Sequence, residues 1–274
     1  MVMKVDLHTH TSDFSHLIFT EVDKKKYLLK LLSKLYKKGD KLVVGVANFN
    51  NDGRYSKFVR ATNELSEDYI VNLRNSNYFI SIQKNNKIIY FVRADEIETD
   101  KGHILILGNK DKINSRNLKN LLKLARKNKW IVIADHPLHK IGLGYFLIQR
   151  IFGLKRWSLN DESIKKNKKD FDSIELNSYF PEDRDKIRKF AKKNNIPIIA
   201  DSDAHCIKEF FDSYFEVENL NFKNIQKFKR SFRKALKKHV KIHAEKHGFL
   251  ARYKHGFNAL IFENWLRKLG LFIR

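Results

Sequence analysis

The sequence predicts an α/β protein on a largely parallel sheet, open or closed into a barrel. Three observations lead there. Short apolar runs rich in β-branched residues recur along the chain, amphipathic lysine-laced stretches of helical period lie between several of them, and polar functional residues gather where the apolar runs end. Strands that read as continuous apolar runs are covered on both faces, which is what alternation with helices supplies.

The first strand is MKVDLH, residues 3–8. DKKKYLLKLLSKLYKKG, 23–39, carries leucines at helical spacing and stops at Gly39, a residue suited to a helix C-cap. KLVVGVAN (41–48) is the next strand. YFISIQ and KIIYFVRADE follow, joined by Asn85 and Asn86 at a hairpin turn. After HILILG (103–108), SRNLKNLLKLARKN (115–128) reads as a helix before the strand WIVIAD (130–135). SIELNS (173–178), the helix PEDRDKIRKFAKKN with Pro181 at its start, IPIIAD (196–201) and SYFEVE (213–218) complete the alternation. Two segments interrupt it. Residues 138–170 read as an insertion with the apolar patch GLGYFLIQRIFGLKRW, in which Tyr145, Phe146 and Trp157 offer apolar or stacking faces. Residues 222–274 read as a basic helical extension containing His239, His243, His247 and His255, packed on or beside a body formed by residues 1–221.

Composition bounds the function. The 274-residue chain has 55 Lys and Arg against 31 Asp and Glu, a formal charge of +24. Such a charge favours an anionic partner, a phosphate ester or a nucleic acid, and is equally consistent with a lysine-rich, well-solvated surface. The single cysteine, Cys206, excludes an intramolecular disulfide and suits a reducing compartment. With neither a secretory leader nor a membrane-spanning apolar run, the expected location is the cytoplasm. No protein partner is evident. The end of the chain, NALIFENWLRKLGLFIR, mixes apolar and basic residues as a membrane-surface or packing helix does.

The chemistry lies at the strand ends, where loops of an α/β sheet converge on one rim. His8 and His10 end the first strand, with Asp13 and His16 just beyond. Asp95 and Glu96, His103, Asp135 and His136, Glu175 and Asn177, and Asp201, Asp203 and His205 stand at the other termini. Imidazoles and carboxylates gathered in one cleft suit divalent Zn, Mn or Fe. No Ser-His-Asp or Cys-His nucleophile and no glycine-rich phosphate loop competes with that reading.

In order along the chain, DLHTHT, the Glu96–His103 pair in ADEIETDKGHILILG, DHP, IELN and DSDAH resemble the motifs of the PHP (polymerase and histidinol phosphatase) family over residues 4–206. The resemblance implies a distorted seven-stranded (β/α) barrel with two or three divalent ions at its rim and metal-dependent phosphoesterase activity. Carried over by motif, His8, His10, Glu96 and Asp203 hold a first ion, and Glu96, His103 and His136 a second. His205, with His16 or Asp13 beside it, serves a third. Asp13 and Asn177 are weaker ligand candidates, and Arg54, His139 and Arg184 are candidates for binding the substrate phosphate. One motif departs: family members carry Thr-Asp-His after the second strand, where this chain has VGVANFNND. Asn48 and Phe49 stand in place of the usual aspartate and histidine, which puts the third ion in doubt. The alternative reading is a non-catalytic nucleic-acid-binding protein on a partly degenerate barrel of this type.

Overall fold

A computed structural model describes residues 2–11, 24–139, 158–177, 183–238 and 240–245. Its strands are β1 (Val2–Thr9), β2 (Lys41–Phe49), β3 (Ile70–Asn72), β4 (Phe79–Lys84), β5 (Lys87–Thr99), β6 (Gly102–Leu107), β7 (Ile131–Ala134), β8 (Ser173–Asn177), β9 (Ile198–Asp201), β10 (Ser213–Glu218) and β11 (Lys241–Ala244). The α-helices are α1 (Lys24–Lys38), α2 (Arg54–Ala61), α3 (Leu118–Lys127), α4 (Asp161–Lys166), α5 (Arg184–Asn194) and α6 (Ile225–Leu236).

The strands form one nearly closed sheet in the order β11-β10-β1-β2-β5-β6-β7-β8-β9, with β3 and β4 attached beside β5. The path therefore holds nine strands rather than the seven expected, because β10 and β11 continue it past the first half of β1. Nor is it largely parallel. β1-β2, β2-β5, β7-β8 and β8-β9 are parallel, whereas β5-β6, β6-β7, β1-β10 and β10-β11 are antiparallel. At β6 the departure follows from a short connection: only Asp100 and Lys101 separate β5 from β6, too few for a crossover helix, so β6 runs against both of its neighbours. Closure comes from the far end of β1, where the amide of His10 donates to the Ala204 carbonyl (2.7 Å) and that of Ala204 to the His8 carbonyl (3.3 Å).

Strand parity divides the core. Val5 and Leu7, Val43 and Ala47, Val92 and Ala94, Leu105 and Leu107, Ile131 and Ile133, and Ile199 fill the lumen, joined by Phe228, Phe232 and Leu236 of α6. The opposite residues of the same strands meet the helices outside. Leu28, Leu31, Leu32 and Leu35 of α1 cover Leu42, Val44 and Val46, while Leu121, Leu122 and Ala125 of α3 share a cluster with Ile104, Ile106 and Val132. α1, α3 and α5 match the expected helices, and β4-β5 is the expected hairpin, with Asn85 at φ 52°. Gly39 follows α1 without taking a left-handed conformation. Of the expected basic helical extension, residues 222–236 do include a helix, but β11 then pairs with β10, so this part belongs to the sheet. Residues 140–157 of the insertion, Pro181 and the last residues from 246 lie outside the described residues.

One irregularity aims the first strand. Between Asp6 and Thr9 the register of β1 against β2 shifts, a bulge that places three steps of β1 opposite two of β2. Leu7, within it, still faces the lumen, and His8 and His10 are turned to the rim. Gly45 makes the bulge possible: a Cβ there would stand 1.8 Å from the Leu7 carbonyl oxygen. The Thr9 hydroxyl donates to the Gly45 carbonyl (2.6 Å), and the Leu7 amide donates to Asp201 Oδ1 (2.6 Å). Gly45→Ala must therefore push β1 away from β2. We expect a loss of about 3 kcal/mol or more in chemical denaturation, at the upper end of the cost of overpacking; a variant as stable as the parent would show that the bulge does not need glycine.

Candidate metal centre

The parity that fills the lumen also builds the site. Continuing each lumen-facing register to the strand's rim end gives Glu96 after Ala94, His103 before Leu105, Asp135 after Ile133, Asp201 after Ile199, and Glu175 on β8. With His8 and His10 turned inward by the bulge, these side chains meet in a buried cluster.

His8 is its centre. Its Nε2 lies 3.2 Å from His10 Nε2, 3.6 Å from Glu96 Oε2 and 3.4 Å from Asp203 Oδ1; its Nδ1 lies 3.0 Å from Asp135 Oδ1 and 3.3 Å from Glu175 Oε2. His10 Nε2 is also 3.4 Å from Glu96 Oε2 and from Asp203 Oδ1. His103 Nδ1 donates to Glu96 Oε1 at 2.8 Å, and His136 Nε2 lies 3.3 Å from Asp203 Oδ2. His205 Nε2 is 3.4 Å from Asp203 Oδ1, its ring stacked on His10 with centroids 4.3 Å apart.

Two groups of donor atoms lie within 4.8 Å of one another: His8, Glu96, Asp135 and His136, and His8, His10 and Asp203. Among these atoms, Glu96 Oε2 and both Asp135 oxygens are buried without a partner in hydrogen-bonding geometry, though imidazole nitrogens stand close by. Buried carboxylate oxygens left in that condition are costly unless a cation completes them. The donor set, nitrogen and oxygen without thiolate, fits borderline divalent ions.

The electrostatics of the metal-free cluster are those of crowded buried charge. Burial opposes a proton on His8, yet Asp135, Asp203 and Glu175 hold its pKa well above the ordinary imidazole value. For His136 burial is likewise overcome by Asp135 and Asp203, to about 9. Burial, then the Asp135 charge, raises Glu175 to about 8. Asp203 is held well below the usual carboxylate range against its burial by His8 and His136, and Glu96 likewise by the hydrogen bond from His103 and the nearby His8. Burial and the neighbouring His205 lower His10 to about 4.

The remaining expected residues separate. Asn177 donates its amide to Glu175 Oε1 (3.3 Å) and Asp203 Oδ2 (3.2 Å), so it orients carboxylates with its nitrogen. Arg54, buried at the start of α2, donates from Nη1 to His10 Nδ1 (2.9 Å) and pairs through Nε with Asp52 Oδ2 (2.6 Å). His139 Nδ1 pairs with Asp183 Oδ2 at 2.8 Å. Arg184 donates to the carbonyls of Asn177, Ala244 (3.0 Å) and Glu245, which makes it a strut between β8 and the end of β11. Asp13 and His16 lie outside the described residues. At the departing motif, Asn48 donates to Asp95 Oδ1 (2.8 Å) and accepts the Tyr55 amide (2.8 Å), while the Phe49 ring meets the edge of His103 with centroids 5.6 Å apart. The structure adds Asp135, Glu175 and Asp201 to the expected residues, and the sequence signal for them is lumen-facing parity, Ile131-Ile133-Asp135 above all.

Residues 181–235 match the PHP-associated family (PHP_C), in agreement with the family the motifs resemble. No curated protein matches the chain. Among solved structures, PsfC from Pseudomonas syringae PB-5123 is similar with a TM-score of 0.59 at 11% identity, covering 98% of this chain and 99% of that one, a likeness of fold. The lesion-specific endonuclease PfuEndoQ from Pyrococcus furiosus gives a TM-score of 0.46 at 18% identity, covering 88% of this chain and 58% of that one.

The raised pKa values set a direction for stability. In the metal-free fold Glu175 keeps its proton to about pH 8 and His136 to about pH 9, whereas the unfolded chain releases them near 4.5 and 6.5. Over that interval the native state binds more protons, so its stability falls as pH rises. Thermal denaturation in chelator should show Tm dropping from pH 6.5 to pH 9, and Glu175→Gln should lessen the drop. A Tm that climbs over the same range would contradict the arrangement.

Proposed function

We propose that this chain is a metal-dependent phosphoesterase of the PHP type, acting on the phosphate ester of a nucleotide, an oligonucleotide or a small phosphomonoester. The observation that carries the reading is the buried convergence of His8, Glu96, Asp135, His136 and Asp203, with carboxylate oxygens that have imidazole nitrogens nearby but no partner in hydrogen-bonding geometry. The proposed ligands are His8, His10, Glu96, His103, His136, Asp203 and His205, with Asp135 added and His16 and Asp13 as the candidates beyond the described residues. Divalent ions held there supply Lewis acidity for the phosphoryl oxygens and a water of lowered pKa.

The chain's own residues prepare that chemistry. Asp135 and Glu175 stand on the Nδ1 side of His8, which fixes the ring and leaves Nε2 facing Glu96 and Asp203, as carboxylates do behind metal-bound imidazoles. Asn177 fixes Asp203 from the opposite side. Glu96 faces imidazoles on both sides, Oε1 toward His103 and Oε2 toward His8 and His10, so it would be available to an ion held on either side. The loss of donors at Asn48 and Phe49 favours two ions over three. His139, held by Asp183, remains a candidate for contact with substrate.

A nucleotide or oligonucleotide is favoured by charge, because a small phosphoester does not need a surface of +24. The domain reading extends this: the body to residue 221 carries the reaction, and the basic extension after it adds affinity for a polyanion. No helix among the described residues is long and apolar enough to cross a membrane.

Metal analysis with a panel of phosphomonoesters and oligonucleotides tests the activity. His8→Ala and Asp203→Ala should each abolish ester hydrolysis and lower bound metal while the circular dichroism spectrum stays near that of the parent. Full turnover with metal retained in either variant would remove that residue from the site. The substrate class is read from salt. If nucleic acid is bound, log affinity should fall with log salt at a slope of roughly −0.7 to −0.9 per neutralised phosphate. Deleting residues 246–274 should flatten that slope and leave small-ester turnover nearly unchanged, whereas a flat response in the intact chain would leave the charge without a nucleic-acid role.

A further inference from the structure

The sheet is nearly closed but not sealed. Its two end strands, β9 and β11, lie side by side without pairing: among the described residues β9 is bonded to β8 alone and β11 to β10 alone. Toward the rim Arg184 bridges this seam through the Asn177 and Ala244 carbonyls. At the other end of the two strands, away from the metal centre, the seam opens into a groove of about 530 Å³ between α5, the end of α6 and the strands themselves. Its floor is aliphatic, with Ile196 and Leu236 buried and Pro197, Ile198, Val240 and Ile242 half-buried.

The walls are cationic. Arg188 and Lys192 stand one turn apart on α5, and Lys238 and Lys241 come from the other side; all four are exposed. Among the described residues no acidic side chain lines the groove, and of the four cations Lys241 is the one with a carboxylate near, Glu216 at 3.6 Å. The main chain adds a third feature. The Ile174 amide donates to the Pro197 carbonyl, so in this parallel ladder Ile199 turns to β8 and Ile198 turns its amide and carbonyl to the seam. The Glu245 amide donates to the Asp212 carbonyl, so antiparallel alternation turns the amide and carbonyl of Ile242 to the seam as well. Strand edges that no described strand pairs thus run beside an aliphatic floor and under a ring of positive charge.

We propose that this groove docks an extended acidic segment of a partner protein. Its aliphatic side chains lie on the floor, its carboxylates meet Arg188, Lys192, Lys238 and Lys241, and its main chain runs along a strand edge, so that edge pairing supplies affinity and alternate side chains supply specificity. Charge complementarity sets the sign of the partner, since a second copy of this chain, at +24, is repelled. Nucleic acid answers the cations, but single strands are held by aromatic faces, and this floor has none. The groove lies at the far end of the strands from the proposed metal ligands, so the proposal goes beyond the phosphoesterase reading and does not depend on it.

The probe is a fluorescein-labelled octapeptide that alternates glutamate with isoleucine, titrated with the full chain by fluorescence anisotropy. The parent should bind it saturably, and a peptide with lysine in place of glutamate should not bind. Arg188→Glu combined with Lys192→Glu, both at exposed positions, should keep the parent's circular dichroism spectrum and weaken the peptide by roughly 10-fold or more. Serine in place of isoleucine, or N-methylation of alternate peptide amides, should cost a comparable factor, which attraction between charges alone would not show. No binding by the parent, or binding indifferent to the charge reversal, overturns the proposal. So does a thymidine oligonucleotide or a phosphatidylglycerol vesicle that depends on Arg188 and Lys192 where the peptide does not. Peptide binding that appears only after residues 246–274 are deleted also overturns it, because the chain's own end is then the occupant.

Discussion

The site depends on one missing side chain. β1 must deliver two imidazoles two residues apart to the rim while its earlier residues fill the lumen, and a regular strand that buries Leu7 would turn His8 and His10 outward. The bulge between Asp6 and Thr9 resolves the conflict, and it exists because Gly45 lets the Leu7 carbonyl come within a distance that no Cβ tolerates. The groups that the bulge takes out of the ladder are not left bare. Thr9 bonds back to Gly45, Leu7 donates to Asp201, and the amide and carbonyl beyond the bulge pair with Ala204, which closes the sheet. Closure of the barrel and presentation of the histidines are thus one structural event.

The cluster this creates is a poor folding element and a good ligand set. Several carboxylates and imidazoles share a buried volume in which burial and mutual repulsion push Glu175 and Asp201 up, and ion pairing pulls Asp203 and Glu96 down. Such a group is tolerated where the surrounding core over-determines it. Here the lumen beneath is packed with Val, Leu and Ile from seven strands and sealed by the phenylalanines of α6. Burial in that core offsets what the rim costs, and a bound cation would remove the repulsion among the acids.

Much of this was legible in the sequence, for physical reasons that also mark its limits. Apolar β-branched runs and leucines at helical spacing report burial directly, so all strands but β3 and β11, and α1, α3 and α5, could be read from the sequence, as could the Asn85–Asn86 turn. Strand direction is not written locally. The two-residue link at Asp100 and Lys101 could have shown that β5 and β6 are antiparallel, yet the general alternation of strands and helices outweighed it. The nine-strand path was hidden for a related reason: HVKIHAE, a short run between basic residues with two histidines, looks like helical tail until β10 offers it an edge. Arg184 shows a limit of a different kind. A basic residue after a strand end suggests an anion, and only the chain's return at Ala244 and Glu245 reveals that carbonyl oxygens occupy it.

The same logic separates acids that build the barrel from acids available to an ion, a distinction residue type alone does not make. Asp6 and Asp95 sit at rim-ward strand ends as Glu96 and Asp135 do, yet they face the other way. Asp6 takes the Ser202 amide and hydroxyl and the Phe211 amide, tying β1 to the chain that follows β9. Asp95 is met by Arg93, Asn48 and Asn109. Each is buried and each is saturated with protein donors, so neither has reason to recruit a cation. Glu96 and Asp135, on the lumen face, meet imidazoles at 2.8–3.6 Å and keep oxygens with no partner in hydrogen-bonding geometry. In a strand-end pair such as Asp95-Glu96, side-chain parity gives the first acid to the fold and turns the second toward the buried cluster.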